Sequence, residues 1–334
     1  MNPRRTLHGR VQVLLGLCHM KLIKAHKHHL GGGIGEVSGT HPPASSRLCF
    51  QVTKRRRTEE RGLGQQDYTR RIISSPYSSN NHRGSQWHWR GHRNLFAQNG
   101  AFVMIVDIQD ELGVQVAASI GPQKSSYRHR DVRVEKHAEE TVAFAIEKYG
   151  TLDIMHSNAG IMGPVGSILD MDMDAFDNTM SINLSGSALA IKHAARVMVE
   201  RQIRGSIICT GSVTSTLGGS GPHPYTTSKH ALVGLVRLAA NELGKHGIRV
   251  NCVSPSGLAT GLVSASGVKN MDKSAIEALA TALANLKGIM LNSNHVAEAV
   301  LFLASDESVY VSGHNLAVDG GVSVVNTAMT MMKR

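Results

Sequence analysis

Cysteine is scarce, aromatic residues make up only 4%, and no apolar run approaches the length of a membrane span. The four cysteines, Cys18, Cys49, Cys209 and Cys252, form no CxxC pair. That excludes a disulfide framework and a cysteine-based zinc site, and it fits a reducing compartment such as the cytoplasm. With no run near the roughly 20 apolar residues needed to cross a bilayer, no membrane role is expected. Acidic residues are missing before Glu36, and residues 1–95 hold 17 Lys/Arg against 4 Asp/Glu. The rest of the chain holds 19 basic and 21 acidic residues, so the net charge of +11 belongs to a leader and not to the body.

That leader also lacks apolar periodicity. Its densest run, Lys54-Arg55-Arg56-Arg57, is compatible with a nuclear signal or with nucleic-acid binding. The reading we adopt is a solvated extension with no nucleic-acid partner. Val11–Cys18, behind Arg4, Arg5 and Arg10, resembles part of a signal or transit peptide, which leaves plastid or mitochondrial import as the alternative to the cytoplasm. Residues 1–94 are therefore set apart from a folded unit at 95–325 and a tail at 326–334.

From Leu95 onward, apolar strand runs alternate with helical spacing. Ala101–Val106, Ser126–His129, Leu152–His156, Ser206–Thr210, Arg249–Val253 and Leu316–Val318 read as strands. Asp110–Ser119, Val134–Tyr149, Met173–Glu200, Tyr225–Gly244 and Val296–Ala304 read as helices. Strands separated by helices of this length predict an α/β fold: a doubly wound, Rossmann-type parallel sheet in three layers.

Tyr225 and Lys229 fall at i and i+4, on one helix face. An ammonium beside a phenol favours the phenolate, so Tyr225 is a candidate proton acceptor. Ser212 follows the strand Ser206–Thr210, Asn158-Ala159-Gly160 follows Leu152–His156, and Asn183 lies within the long helical stretch. These polar positions gather at the carboxyl edge of the sheet, where open α/β sheets bind ligands. Asp107, at the end of the strand Ala101–Val106, is placed to accept bonds from ribose hydroxyls and to repel a 2′-phosphate. The residues after it, Ile108 and Gln109, are not basic, so NAD is favoured over NADP. His223 and His230 read as packing or surface residues, Cys209 and Cys252 as core. The acidic run Asp170–Asp177 reads as a solvated helix start, with no metal expected.

Between Leu95 and Val324 the chain resembles the short-chain dehydrogenase/reductases. The resemblance is to the plant group that is secoisolariciresinol/xanthoxin/borneol dehydrogenase-like and momilactone A synthase-like. It rests on Ser157-Asn-Ala-Gly160, Asn183, Gly211-Ser212-Val213, Gly218–His223, Tyr225–His230, Arg249–Pro255 and Val318-Asp-Gly-Gly321. It implies that Tyr225 is the acid/base and that Lys229 holds the nicotinamide ribose. Ser212 would hold the substrate oxygen, and Asn183 would anchor a water in the proton relay. It further implies that Asp131 and Val132 meet the adenine, that Asn158, Ala159 and Gly160 line the cofactor cleft, and that Leu258 and Thr260 meet the carboxamide. Gly261–Asn292 would be a lid, and its small apolar content suits a hydrophobic secondary alcohol or ketone, such as a terpenoid or phenolic. A homodimer or homotetramer through the helices of Asn183 and Tyr225 is implied as well.

One expected part is missing. The family has a strand and a glycine loop some 20 residues before the position of Asp107, where the backbone approaches a pyrophosphate. Here that stretch is Ser78–His92, and Gly31–Gly35 is too distant and follows no strand. One permitted codon choice for Ser78–His92, read one base later, gives Val-Ala-Ile-Ile-Thr-Gly-Gly-Ala-Asn-Gly-Ile-Gly-Glu-Ala. Tryptophan has a single codon, so Trp87 and Trp89, followed by His88 and Arg90, each become glycine in that frame. We read the segment as out of frame. The chain as written is then expected to carry an intact catalytic half and a weakened cofactor site, with residues near Arg71–Ser75 or Val11–Leu17 substituting imperfectly for the missing strand, or a gap in the sheet. The competing expectation is a fold-retaining binding or scaffold protein.

Overall fold

A computed structural model of the chain describes residues 11–13, 95–257 and 273–325. Gly31–Gly35, Ser78–His92, Leu258 and Thr260 lie outside the described residues, as does most of the leader.

Seven strands form one sheet: β1 (Val11–Val13), β2 (Phe102–Asp107), β3 (Ser125–His129), β4 (Ile154–Ser157), β5 (Ser206–Thr210), β6 (Arg249–Pro255) and β7 (Asn315–Val318). Their order is β3-β2-β1-β4-β5-β6-β7, and every pairing is parallel. The strand order reverses between β1 and β4, which makes the crevice at their carboxyl ends the ligand-binding position of such a sheet.

The helices are α1 (Leu95–Gln98), α2 (Asp110–Ile120), α3 (Glu135–Tyr149), α4 (Met173–Met180), α5 (Gly186–Glu200), α6 (His223–Leu243), α7 (Lys273–Leu283) and α8 (Ser293–Ala304). They cover both faces, because alternate residues of a strand point to opposite sides and both sides here are apolar. On one face Met155, Ile207 and Cys209 pack with Val142, Ala190, Ala194, Met198, Leu232 and Val236, from α3, α5 and α6. On the other, Val103, Ile105, Ile154, Ile208 and Val253 pack with Val116 of α2 and Val296, Val300 and Leu303 of α8. Ala190, Ala194, Ala195, Leu232 and Ala239 are thus buried in the chain's own core.

Three features differ from the sequence reading. The continuous helix expected over Met173–Glu200 is interrupted at Ser181–Ser185 by a wide turn, closed by Gly186 N donating to Ser181 O. One extra residue in a helical turn barely disturbs apolar spacing, so periodicity cannot register it. The 261–292 stretch contains a full helix, α7. Of the two leader segments that could fill the place of the missing strand, Val11–Val13 stands inside the sheet. It pairs with β2 (Val11↔Phe102, Gln12↔Val103, Val13↔Met104) and with β4 (Val13↔Met155). The expectation that the folded unit begins at Leu95 is corrected on this point. An empty slot between β2 and β4 would leave two rows of backbone donors and acceptors without partners, and a short apolar segment that fills it avoids that penalty.

A proline at position 12 removes a backbone donor from this central strand. Gln12→Pro is expected to lower unfolding stability by at least about 2 kcal/mol in urea titration. An unchanged midpoint would contradict the placement of β1.

Candidate active site

Lys229 is a deeply buried charged group. It lies in α6 and is 3% exposed, and its Nζ donates to the carbonyl of Thr210, the last residue of β5, at 2.7 Å. One turn earlier on the same helix face is Tyr225, with Lys229 Nζ 5.5 Å from its ring centroid. Burial pushes the Tyr225 phenol up to about 12, and a hydrogen bond from Ser212 works against that rise. The expected lowering of Tyr225 by Lys229 is therefore corrected: the ammonium is directed at Thr210, and desolvation sets the direction of the shift.

Ser212 is placed by a tight turn directly after β5. Its Oγ accepts from Thr214 N at 3.2 Å and its backbone N donates to Ser215 Oγ at 3.1 Å, a reciprocal cap on the short turn Val213–Ser215. With Oγ accepting there, its own proton is available to Tyr225.

Asn183 sits in the wide turn between α4 and α5, fully buried. Its Oδ1 accepts from Ile161 N at 2.8 Å, and its Nδ2 donates to Ile161 O and Ser228 Oγ, both at 2.9 Å. Ser228 Oγ in turn donates to Tyr225 O at 2.7 Å. The wide turn thus clamps the loop after β4 to α6. Gly160 lies in that clamp: a methyl group there would come 3.3 Å from Asn183 Oδ1 and 3.5 Å from Lys229 Nζ. Only glycine leaves the space beside these two groups open.

The remaining predicted residues line the same edge. Asn158 Oδ1 accepts from Thr210 Oγ1 at 2.6 Å, and Ala159 is buried. Asp107 ends β2 and is 1% exposed, with Oδ1 accepting from Gln109 N at 2.9 Å. Asp131 is spanned by Arg133, whose Nε lies 3.1 Å from both carboxylate oxygens and whose Nη2 donates to Oδ2 at 2.6 Å. Val132 packs on Gly186, where a Cβ would come 2.7 Å from Val132 Cγ2. The acidic run has a capping role: Asp172 Oδ1 accepts from Ala175 N at the start of α4. His223 and His230 are exposed, and Cys209 and Cys252 are buried.

Sequence reasoning did not single out Ser228, Thr210 or His156, which hold the named residues in place. Their signal is weak, since serine, threonine and histidine on buried elements carry no fixed spacing. A cavity of about 530 Å³ beside α7, lined by Ser274, Glu277, Thr281, Lys287 and Met290 among others, includes none of the tetrad.

The residues fit a nicotinamide dinucleotide at both ends. A buried carboxylate closes β2, and the open space at Gly160 adjoins a phenol and an ammonium at the other end. A parallel Rossmann-type sheet with this edge defines an oxidoreductase. The family model described as enoyl-(acyl carrier protein) reductase matches residues 92–323. Short-chain dehydrogenase reductase 3b of Arabidopsis thaliana is 58% identical over 231 residues, 69% of this chain and 89% of that protein. Momilactone A synthase of Oryza sativa subsp. japonica is 50% identical over 236 residues, 70% of this chain and 85% of that protein. Secoisolariciresinol dehydrogenase of Forsythia intermedia is 48% identical over 241 residues, 72% and 86% of the two chains. The crystal structure of levodione reductase superimposes with a TM-score of 0.64 at 29% identity, covering 69% of this chain and 91% of that one. The chain belongs to the short-chain dehydrogenase/reductase family.

Asn183→Leu would leave Ile161 N, Ile161 O and Ser228 Oγ buried without the partner they now share. Loss of about 3 kcal/mol or more of unfolding stability is expected from denaturant titration. A loss below about 1 kcal/mol would show that the clamp is not structural.

Proposed function

We propose that the chain is an NAD-dependent dehydrogenase/reductase of a hydrophobic secondary alcohol and its ketone, of terpenoid or phenolic type. The observation that carries this reading is the convergence of Tyr225, Ser212, Lys229 and Asn183 around one buried edge. The dinucleotide, when bound, supplies or takes up the hydride. Ser212, with its Oγ oriented by Thr214 N, holds the substrate oxygen beside Tyr225. Tyr225 gives a proton to that oxygen in reduction and takes one in oxidation. Lys229 holds the nicotinamide ribose and keeps a positive charge near the phenol. Asn183 keeps the Ile161 loop and α6 in register, and in the family relay it would anchor a water.

Asp107 supports NAD over NADP, because a buried carboxylate at the ribose position repels a 2′-phosphate. Asp131 and Val132 would bound the adenine, with Asp131 oriented by Arg133. Asn158, Ala159 and Gly160 would line the cleft, and Leu258 and Thr260 the carboxamide end. Relatives named momilactone A synthase, zerumbone synthase and secoisolariciresinol dehydrogenase support the terpenoid or phenolic substrate class. A homodimer or homotetramer is the proposed assembly, with Leu238 of α6, 65% exposed, as an apolar position open to a second subunit.

A second reading is a fold-retaining binding protein without redox chemistry. It is favoured by the sequence after β1, Leu14-Leu-Gly-Leu-Cys18, which lacks the spaced glycines of a pyrophosphate loop. A fluorescence titration with NADH separates the two.

Because its pKa is raised to about 12, Tyr225 is protonated at neutral pH and is poised to donate. The phenolate that oxidation needs grows tenfold per pH unit below that value. Alcohol oxidation should therefore rise with pH between about pH 7 and pH 10, and ketone reduction should not. Tyr225→Phe should nearly abolish both directions while NADH still binds. A flat oxidation profile, or turnover retained in the variant, would remove Tyr225 from its role. Asp107→Ala should weaken NAD binding and narrow the preference over NADP. An unaltered preference would assign cofactor choice to other residues.

A further inference from the structure

A histidine lies beneath this site and takes part in no step above. His156 is in β4, fully buried, on the face of the sheet that carries Ile154 and Ile208. An apolar side chain would pack there without any polar requirement, so the imidazole needs a reason. Burial pushes its pKa down to about 3, which keeps the ring neutral with a single N–H. Its Nε2 lies 2.7 Å from Thr210 Oγ1, and Thr210 Oγ1 donates to Asn158 Oδ1 at 2.6 Å.

The chemistry of the three groups orders the chain. An amide oxygen only accepts, so the single hydroxyl proton of Thr210 is committed to Asn158. Thr210 Oγ1 is then an acceptor toward His156, and His156 carries its proton on Nε2. Asn158 is held by its oxygen, which leaves its Nδ2 hydrogens as the donors it can offer a ligand. Thr210 meanwhile presents its carbonyl to Lys229 at 2.7 Å. One residue at the end of β5 therefore aligns the ammonium through its backbone and the Asn158 amide through its side chain.

We propose that His156 is a positioning residue for the dinucleotide site: through Thr210 it fixes the orientation of the Asn158 amide, so that Nδ2 and not Oδ1 faces the cofactor. The proposal rests on the dinucleotide reading given above. The reverse order is chemically complete as well. With the amide turned over and the proton on His156 Nδ1, the same three residues would present an acceptor to the cofactor in place of a donor. The tautomer of His156 reports which arrangement holds.

Two measurements on the full chain decide it. The ¹⁵N chemical shifts of labelled histidine should show His156 neutral, with the proton on Nε2. An Nδ1–H tautomer overturns the proposal. In NADH titrations, His156→Phe keeps a ring but loses the donor, and should weaken binding about tenfold. Thr210→Val keeps the carbonyl for Lys229 and should weaken binding similarly. His156→Gln restores an N–H donor and should recover affinity to within about threefold of the unaltered chain. If His156→Phe does not fold, Thr210→Val carries the same expectation. Unchanged NADH affinity in these variants, with binding by the unaltered chain intact, overturns the proposal alone. Failure of the unaltered chain to bind NADH overturns the dinucleotide reading and this proposal with it.

Discussion

A buried ammonium governs the architecture of this site. Lys229 is almost fully removed from water, and an ion moved into such surroundings costs several kcal/mol unless oxygen acceptors meet it. The Thr210 carbonyl does so at 2.7 Å, and the Tyr225 ring lies within cation–π range. The two nearby thiols do not supply a counter-charge. Burial raises both, Cys252 to about 11, so both stay neutral. The position of Lys229 is thus tied to the end of β5, and with it the turn of α6 that presents Tyr225. Ser212, two residues beyond Thr210, is carried by the same strand end. The groups proposed to be catalytic are thus set by a strand end and one helix face.

From that anchor the site divides into two halves with different supports. The half proposed for the nicotinamide rests on β4, β5, the wide turn at Ser181–Ser185 and α6, which are cross-linked through Asn183, Ser228 and Thr210. The half proposed for the adenosine rests on β2 and β3. There Asp107 ends its strand, and Tyr127 Oη lies 2.8 Å from both the Asp107 carbonyl and Asp110 Oδ1. Between them runs β1, whose three residues come from a segment far earlier in the chain. Among the described residues, Asn183, Ser228 and Thr210 tie the first half together, and β1 of the leader joins it through β4. In the proposed binding mode, β1 lies beneath the middle of the dinucleotide.

The sequence was most legible where a function needs local spacing. Tyr225 and Lys229 announce themselves four residues apart, and Ser212 and Asn158 stand just past apolar strand runs. Asp107 is visible for the same reason, and the sheet itself follows from alternating strand and helix periods. What escaped notice depends on contacts between distant residues. Asn183 stands in a wide turn and not in the continuous helix expected, since a wide turn leaves the apolar stripe of α4 and α5 almost intact. His156 looks like one more strand residue until β5 lies beside it in register, with His156 opposite Ile208. Val11–Val13 is three residues long and pairs with strands more than eighty residues away, so the sequence offered Val11–Leu17 only as one of two candidate fillers, beside Arg71–Ser75, for the vacancy between β2 and β4. Tyr225 shows a further limit: proximity to a lysine in sequence suggested a lowered pKa, and burial, which sequence does not report, decided the sign.

The central claim is that this chain, with its own leader, carries out hydride transfer at the edge built around Lys229. The direct measurement is a single-turnover reaction of the full chain in excess over NAD⁺, with an apolar secondary alcohol, following reduced cofactor and ketone together. The account predicts that the two appear in equal amounts, with one faster-reacting alcohol among a panel of terpenoid and phenolic substrates. A folded chain that forms neither from any member of the panel, at cofactor concentrations where NADH demonstrably binds, would contradict it.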